Sequence, residues 1–310
     1  MKSKYLITGV AGFIGSHIAE EILKQGETVV GIDNFYSGKR ENIQLLEKLG
    51  GNNFRFEEID TQNLDDLESI FKNHNIDYIF HLAAVASVQK SIENPLFTNS
   101  VNIRGTLNIL ELAKKFGTKR VVFSSSAAVY GDEPTLPKDE KSVIQPISPY
   151  GYEKLTGEHY MNIYNKLYGV ETVILRYFNV YGERQDPSSE YSGVISIFED
   201  KVKKSETVNI YGDGKQSRDF IYVKDIVNLN LLAMKKDKAV GEVFSCGTGN
   251  TTTILELFGI ISNKYNKNIE PNFVKARNGD IRESLCNNQK IKDVLGFTDF
   301  TKFQNGILKL

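Results

Sequence analysis

The sequence predicts an α/β protein: a doubly wound parallel sheet carrying a smaller C-terminal α/β lobe. Three observations support this. Through residues 1–178, short runs rich in Val, Ile and Leu alternate with segments of helical periodicity, the pattern of a parallel sheet covered on both faces. Three glycines, Gly9, Gly12 and Gly15, sit where the first such run meets the first helical segment. From about Asn179 onward, shorter elements lie between loops rich in Gly, Asp and Ser. The expected division is therefore 1–178 and 179–310, with a soft boundary that the chain is free to recross.

The elements follow in order. Tyr5–Thr8 is a short apolar strand, and Ile14, Ile18, Ile22 and Leu23 share one face of the helix after it. Thr28–Ile32 and Phe54–Ile59 read as the second and third strands, and Leu64–Asn73 as a helix. Ile76–Leu82 is the fourth strand; Thr98–Phe116 is helical, with Leu107, Leu110 and Ala113 on its buried face. Arg120–Phe123 is the fifth strand, Tyr150–Tyr168 a helix, and Thr172–Leu175 the sixth strand. In the second lobe, Thr207–Tyr211, Asp219–Val223 and Val243–Cys246 are short elements; Asp225–Met234, Ile254–Tyr265 and Gln289–Leu295 are helical.

Composition excludes several classes. A net charge of −1, with both signs spread along the chain, argues against a nucleic-acid-binding surface. No apolar run reaches the roughly 18 residues of a membrane span, and the N-terminus runs into a strand without the apolar stretch of a signal peptide. Cys246 and Cys286 are far apart, with no Cys-x-x-Cys, so neither a disulfide framework nor a zinc or other metal site is expected. The expectation is a soluble cytoplasmic protein without membrane partners.

Gly9-Val10-Ala11-Gly12-Phe13-Ile14-Gly15 follows the first strand and opens the first helix. Glycines there allow a tight turn, close approach of backbone to a pyrophosphate, and close packing of helix on strand, with the pyrophosphate at the positive end of the helix dipole. The spacing is Gly-x-x-Gly-x-x-Gly rather than Gly-x-Gly-x-x-Gly. Asp33 ends the second strand. A carboxylate there accepts from a ribose 2′-OH and repels a 2′-phosphate, favouring NAD over NADP; Asn34 beside it leaves that preference unchanged. This is a Rossmann-type arrangement.

Ser148-Pro149-Tyr150-Gly151-Tyr152-Glu153-Lys154 puts a phenol and an ammonium four residues apart at the start of a helix, on one face. Tyr152 faces elsewhere. A lysine beside a tyrosine favours the phenolate and is expected to lower a pKa that otherwise sits near about 10, which makes Tyr150 a usable general base.

These features, with Ser124-Ser125-Ser126 after the fifth strand, resemble the extended short-chain dehydrogenase/reductase superfamily. Further matches run along the chain: His81-Leu82-Ala83-Ala84, Asn102 with Gly105-Thr106, Val129-Tyr130-Gly131, Arg176 to Gly182, Tyr211-Gly212-Asp213-Gly214 and Arg218-Asp219-Phe220. The resemblance implies that Asp60 and Thr61 lie near an adenine, that Leu82, Ala83, Ala84, Ser124 and Tyr177 line the cofactor, and that Asn99 precedes a helix packed beside it. His81 is expected to be structural.

Within the superfamily the chain looks like a UDP-sugar 4-epimerase. The resemblance implies that Tyr150 takes the proton of the sugar 4-OH, that Lys154 sets its pKa and holds the nicotinamide ribose, and that Ser126 bridges the reacting oxygen to Tyr150. Related 4,6-dehydratases and decarboxylases carry acids and bases where this chain has Ala127 and Ala128, so elimination lacks its proton carriers. A non-catalytic NAD-sensing protein is the alternative from another class, disfavoured because Ser126, Tyr150 and Lys154 are retained together. On the UDP-sugar side, the resemblance implies contacts from Ser87, Ser125 and Asn179, from Tyr211 to the uracil, from Arg218 and Arg277 to the pyrophosphate, and from Asp280 to the uridine ribose. Ser284 stands where epimerases confined to UDP-glucose and UDP-galactose carry tyrosine. Its small side chain leaves room for a 2-acetamido group, so UDP-GlcNAc and UDP-GalNAc are the expected substrates; UDP-Glc, UDP-Gal and uronic acids stay open, with Lys90, Arg184 and Arg282 as cations of unassigned direction. A homodimer pairing the Thr98–Phe116 and Tyr150–Tyr168 helices is also implied.

Overall fold

The computed structural model describes residues 2–186, 193–276 and 282–310. Its centre is a seven-stranded sheet. Strands β1 (Lys4–Thr8), β2 (Thr28–Asp33), β3 (Phe54–Glu58), β4 (Tyr78–His81), β5 (Arg120–Ser126) and β6 (Glu171–Tyr177) lie in the order β3-β2-β1-β4-β5-β6. Every pairing is parallel. Val243–Cys246 pairs in parallel with β6 as the seventh strand, so the chain returns to the first sheet from beyond residue 179.

Side chains alternate across the sheet, and this alternation builds two cores. Ile7, Val29, Val122, Val173 and Leu175 pack with Ile18, Ile22 and Leu46 of the helices Phe13–Lys24 and Arg40–Gly50. Leu6, Val30, Val121, Phe123 and Ile174 pack on the other face with Leu67, Leu110 and Met161 of the helices Leu64–Asn73, Gly105–Phe116 and Pro149–Tyr168. The strand order reverses between β1 and β4, and such a reversal opens a crevice at the carboxyl ends of the strands.

The helix expected over 98–116 begins earlier and is not uniform. Asn94 caps a turn at Pro95–Asn99, a five-residue π turn spans Ser100–Arg104, and regular helix resumes at Gly105–Phe116. The segment reading Gln289–Leu295 is likewise a π turn, at Ile291–Leu295. In the second lobe, helices Val194–Lys203 and Ile254–Lys264 close a third core on Tyr181, Ile210, Phe220 and Tyr222. Three two-stranded sheets rim it: Asn179–Tyr181 with Phe220–Tyr222, Ser217–Arg218 with Thr252–Thr253, and Asn209–Tyr211 with Asn272–Val274. Among the described residues no helix is long and apolar enough to cross a membrane.

Candidate active site

A cleft of about 480 Å³ runs over the carboxyl ends of β1, β2, β4, β5 and β6 and reaches the second lobe. Gly9, Gly12, Phe13, Ile14 and Gly15 border it. Gly9 has φ +72°, and a Cβ on it would sit 3.0 Å from the Ala83 amide nitrogen. On Gly15 a Cβ would lie 2.2 Å from the Gly9 carbonyl oxygen. The Phe13–Lys24 helix opens at Gly12 with no side-chain cap. A bare backbone cradle at an uncapped helix start suits a pyrophosphate, so the residues present fit a dinucleotide.

Asp33 borders the cleft, and its carboxylate oxygens accept from the amides of Ala11 (3.0 Å) and Phe35 (2.8 Å). Burial pushes its pKa up while those amides oppose the rise. The neighbouring cations are engaged: Lys39 pairs with Asp186 at 3.0 Å, and Arg40 pairs with Glu58 at 3.1 Å and lies over the Phe35 ring. Asn34 donates to Asp60 (2.9 Å), and both border the cleft with the buried Thr61. Leu82, Ala83 and Ala84 form the opposite wall. The Leu82 and Ala83 amides donate to Thr8 Oγ1 at 3.1 and 3.0 Å. His81 lies between Thr8 Oγ1 (2.8 Å) and Thr106 Oγ1 (2.9 Å). Thr106 donates its own proton to the Asn102 carbonyl, so the His81 Nε2–H donates to Thr106 and Nδ1 accepts from Thr8. Both ring nitrogens of His81 are therefore engaged within the fold.

The Pro149–Tyr168 helix starts where Ser148 accepts from the Gly151 amide at 3.2 Å, with Pro149 in the first turn. Tyr150 is buried in the cleft wall while Tyr152 is 57% exposed, as their spacing requires. Ser126 and Tyr150 both border the cleft, and Ser126 is near enough to favour the phenolate. Ser126 Oγ accepts from the Ala128 amide at 3.1 Å. Lys154 donates to the Ser124 carbonyl at 2.8 Å.

The titration of this pair differs from the expectation. Burial pushes Tyr150 up to about 12, with the Ser126 hydrogen bond lowering it and the Glu153 charge raising it. Burial pulls Lys154 down to about 8, against the raising charges of Glu153 and Glu158. The same dry wall disfavours both ionised forms, and the Lys154 ammonium rests on a carbonyl rather than on the phenol.

Ser124, Tyr177 and Asn179 border the cleft. The Tyr177 hydroxyl is bonded to Asn230 at 2.9 Å. Three further candidate residues are engaged elsewhere or stand outside the lining. Ser125 borders the cleft, but its hydroxyl donates to Glu158 inside the wall, because alternation along β5 turns it away from Ser124 and Ser126. The Ser87 hydroxyl accepts from the Lys90 amide at 3.1 Å as a helix cap, and Ser87 lies outside the cleft lining. Asn99 is exposed and outside the lining. One turn on, buried Asn102 bonds Val85 and Glu153 instead. Arg277 and Asp280 lie outside the described residues. Tyr211, Arg218 and Ser284 lie in the second lobe, away from the cleft lining. There the Ser284 amide donates to the Ser217 carbonyl at 3.2 Å. Of the three unassigned cations, Arg184 borders the cleft but is bonded to Glu20 and Ser16, and Arg282 forks onto Asp213 at the surface. Tyr36 and Phe97, which were not anticipated, meet at 5.3 Å on the cleft rim; two lone aromatics in different loops carry no periodic signal.

Residues 5–247 match the NAD dependent epimerase/dehydratase family. The chain belongs to this family. Its cofactor is NAD. A UDP-glucose 4-epimerase from Thermotoga maritima, solved with UDP-glucose, is 39% identical with a TM-score of 0.93, covering 99% of this chain and 96% of that one. A UDP-N-acetylglucosamine 4-epimerase from Methanobrevibacter ruminantium, in complex with UDP-N-acetylmuramic acid, is 40% identical with a TM-score of 0.93, covering 100% and 97%. A UDP-glucuronate 4-epimerase from Thermodesulfobacterium geofontis is 35% identical over 98% of this chain and 93% of its own length.

Proposed function

We propose that this family member is a UDP-sugar 4-epimerase whose substrates are UDP-GlcNAc and UDP-GalNAc, with UDP-Glc and UDP-Gal as further substrates. The observation that carries the 4-epimerase reading is the Ser126–Tyr150–Lys154 arrangement on the cleft wall, with the methyl side chains of Ala127 and Ala128 following Ser126. NAD, when bound, supplies reversible hydride transfer at C4 of the sugar. Tyr150 takes the proton of the 4-OH and returns it, and Ser126 holds the reacting oxygen during the transfer. Lys154 carries the positive charge that stabilises the phenolate in a buried wall. With no further acid or base after Ser126, the 4-keto sugar has no help toward elimination and is reduced again from its other face.

The acetylated substrate rests on Ser284. Its backbone is fixed on Ser217, and two residues on, Cys286 bridges to Lys138. A small side chain on a fixed backbone leaves space that a larger residue would fill. In the proposed division of labour, residues 1–178 bind NAD and residues 179–310 bind the UDP-sugar. Arg218, Arg277, Tyr211 and Asp280 hold the nucleotide, and the strand Val243–Cys246 belongs to the first unit. We assign the protein to the cytoplasm as a homodimer. The Pro149–Tyr168 helix carries exposed Tyr152, Ile163 and Leu167, an apolar stripe at helical spacing that a second copy would cover.

Incubation with UDP-GlcNAc, UDP-Glc and UDP-GlcA side by side, with separation of the products, tests the reading. Interconversion with the 4-epimers, fastest for the acetylated pair, is expected. Absence of turnover with every UDP-sugar would leave an NAD-sensing protein on the same fold.

A further inference from the structure

Glu153 is a buried carboxylate beside the reacting pair, on the same helix as Tyr150 and Lys154. Both of its hydrogen-bond donors are neutral: Thr98 Oγ1 reaches Oε1 at 2.7 Å, and Asn102 Nδ2 reaches Oε2 at 2.6 Å. Asn102 is itself clamped to the cleft wall, accepting from the Val85 amide at 2.8 Å and donating to the Val85 carbonyl at 3.2 Å. Glu153 therefore ties the catalytic helix, through Asn102, to the loop that forms the facing wall of the cleft. A carboxylate removed from water and given only neutral partners is costly unless a positive charge lies near. The adjacent Lys154 is that charge.

We propose that Glu153 is a positioning residue for the epimerase reaction, keeping Lys154 an ammonium and holding Tyr150 in register with the cleft wall. This rests on the 4-epimerase reading above. The remaining ionisable groups near the pair are already committed. His81 on β4 is neutral between two threonines. Arg176 on β6 is paired with Glu158 and bonded to Tyr130, and Tyr177 is bonded to Asn230. Lys90 is half-buried and Glu93 exposed on the helix before Thr98, and Arg104 is exposed and bonded to Gln62. Glu153 is thus the carboxylate near Lys154 that is not neutralised by a partner of its own. Its charge raises the affinity of both Lys154 and Tyr150 for protons. Removing it moves both titrations the same way, toward lower pH.

The test is Glu153→Gln, which preserves shape and one acceptor. Both limbs of the kcat/KM profile for the best UDP-sugar are expected to move down by about one pH unit. The ultraviolet difference titration of the Tyr150 phenolate, with Tyr150→Phe as blank, should move in the same direction. Glu153→Asp keeps the charge, so its limbs should stay at the wild-type pH although kcat falls, and it carries the test if Glu153→Gln does not fold. Unmoved limbs and an unmoved titration in Glu153→Gln, or limbs displaced equally in Glu153→Asp, overturn the proposal. A displaced phenolate titration in a protein that turns over no UDP-sugar would leave the Glu153 role standing and remove the reaction assignment instead.

Discussion

Lys154 sets its ammonium on the Ser124 carbonyl, 2.8 Å away, from a position 5.9 Å from the centre of the Tyr150 ring. The two side chains share a face of one helix, yet they do not form a direct pair. In the proposed mechanism Lys154 acts on Tyr150 as a charge held at fixed distance. Tyr150→Phe removes only the hydroxyl and should lower kcat by roughly a hundred- to ten-thousand-fold, the span of general acid–base catalysis. Lys154→Met removes the buried charge and should lower kcat comparably. The drop should appear in kcat and kcat/KM together, measured with the UDP-sugar that wild type turns over fastest.

The glycine turn makes a structural prediction. A methyl group at residue 15 would sit 2.2 Å from the Gly9 carbonyl oxygen, and Gly9, with its positive φ, closes against the Ala83 backbone. Gly15→Ala should therefore lower stability by about 1–3 kcal/mol, as overpacking does, and reduce the NAD retained by the purified protein. Gly259→Ala is the control. Its Cβ meets nothing within 4 Å in the Ile254–Lys264 helix, so it should gain about 0.5–1 kcal/mol. Urea unfolding and assay of nucleotide released on denaturation read both effects.

The features that could be read in advance are those that repeat or that follow one after another. Val121, Val122 and Phe123 announce a buried parallel strand by composition, and Tyr150 and Lys154 share a face because a helix repeats every 3.6 residues. The same logic turns Ser125 to the face opposite its neighbours Ser124 and Ser126. The π turn at Ser100–Arg104 was not legible, since a regular repeat cannot foresee it. Glu153 was invisible for another reason. Its partners Thr98 and Asn102 are 55 and 51 residues away, and a buried Glu has the same local signature as a solvated one.

The proposed specificity gate, Ser284, stands on a fixed backbone. Its amide is held by Ser217, next to Arg218, so a larger side chain there should change the space available rather than the position of the loop. Ser284→Tyr should abolish turnover of UDP-GlcNAc and UDP-GalNAc and spare UDP-Glc. Kinetics on both substrate pairs read the ratio; undiminished UDP-GlcNAc turnover in Ser284→Tyr would refute the gate.

Two buried histidines should contribute to the loss of stability in mild acid. His81, locked between Thr8 and Thr106, is pulled down to about 3 by burial and by the Lys154 charge. His17 is pulled down to about 4, chiefly by burial. It bonds the Glu183 carbonyl at 2.9 Å through Nε2, and Nδ1 meets the Lys224 ammonium at 3.1 Å. In the unfolded chain both titrate near about 6.5, so between these values the unfolded state binds more protons than the folded one. Their contribution is fully present above about 6.5 and is lost as pH falls toward 4 for His17 and 3 for His81. At about pH 5 each should have cost the fold about 2 kcal/mol relative to neutral pH. Urea midpoints at about pH 7.5 and about pH 5 measure the loss. His17→Gln, which keeps a donor for the Glu183 carbonyl and an acceptor for Lys224, should shrink the difference by about 2 kcal/mol, whereas an unchanged difference would show that His17 is not held neutral in the fold.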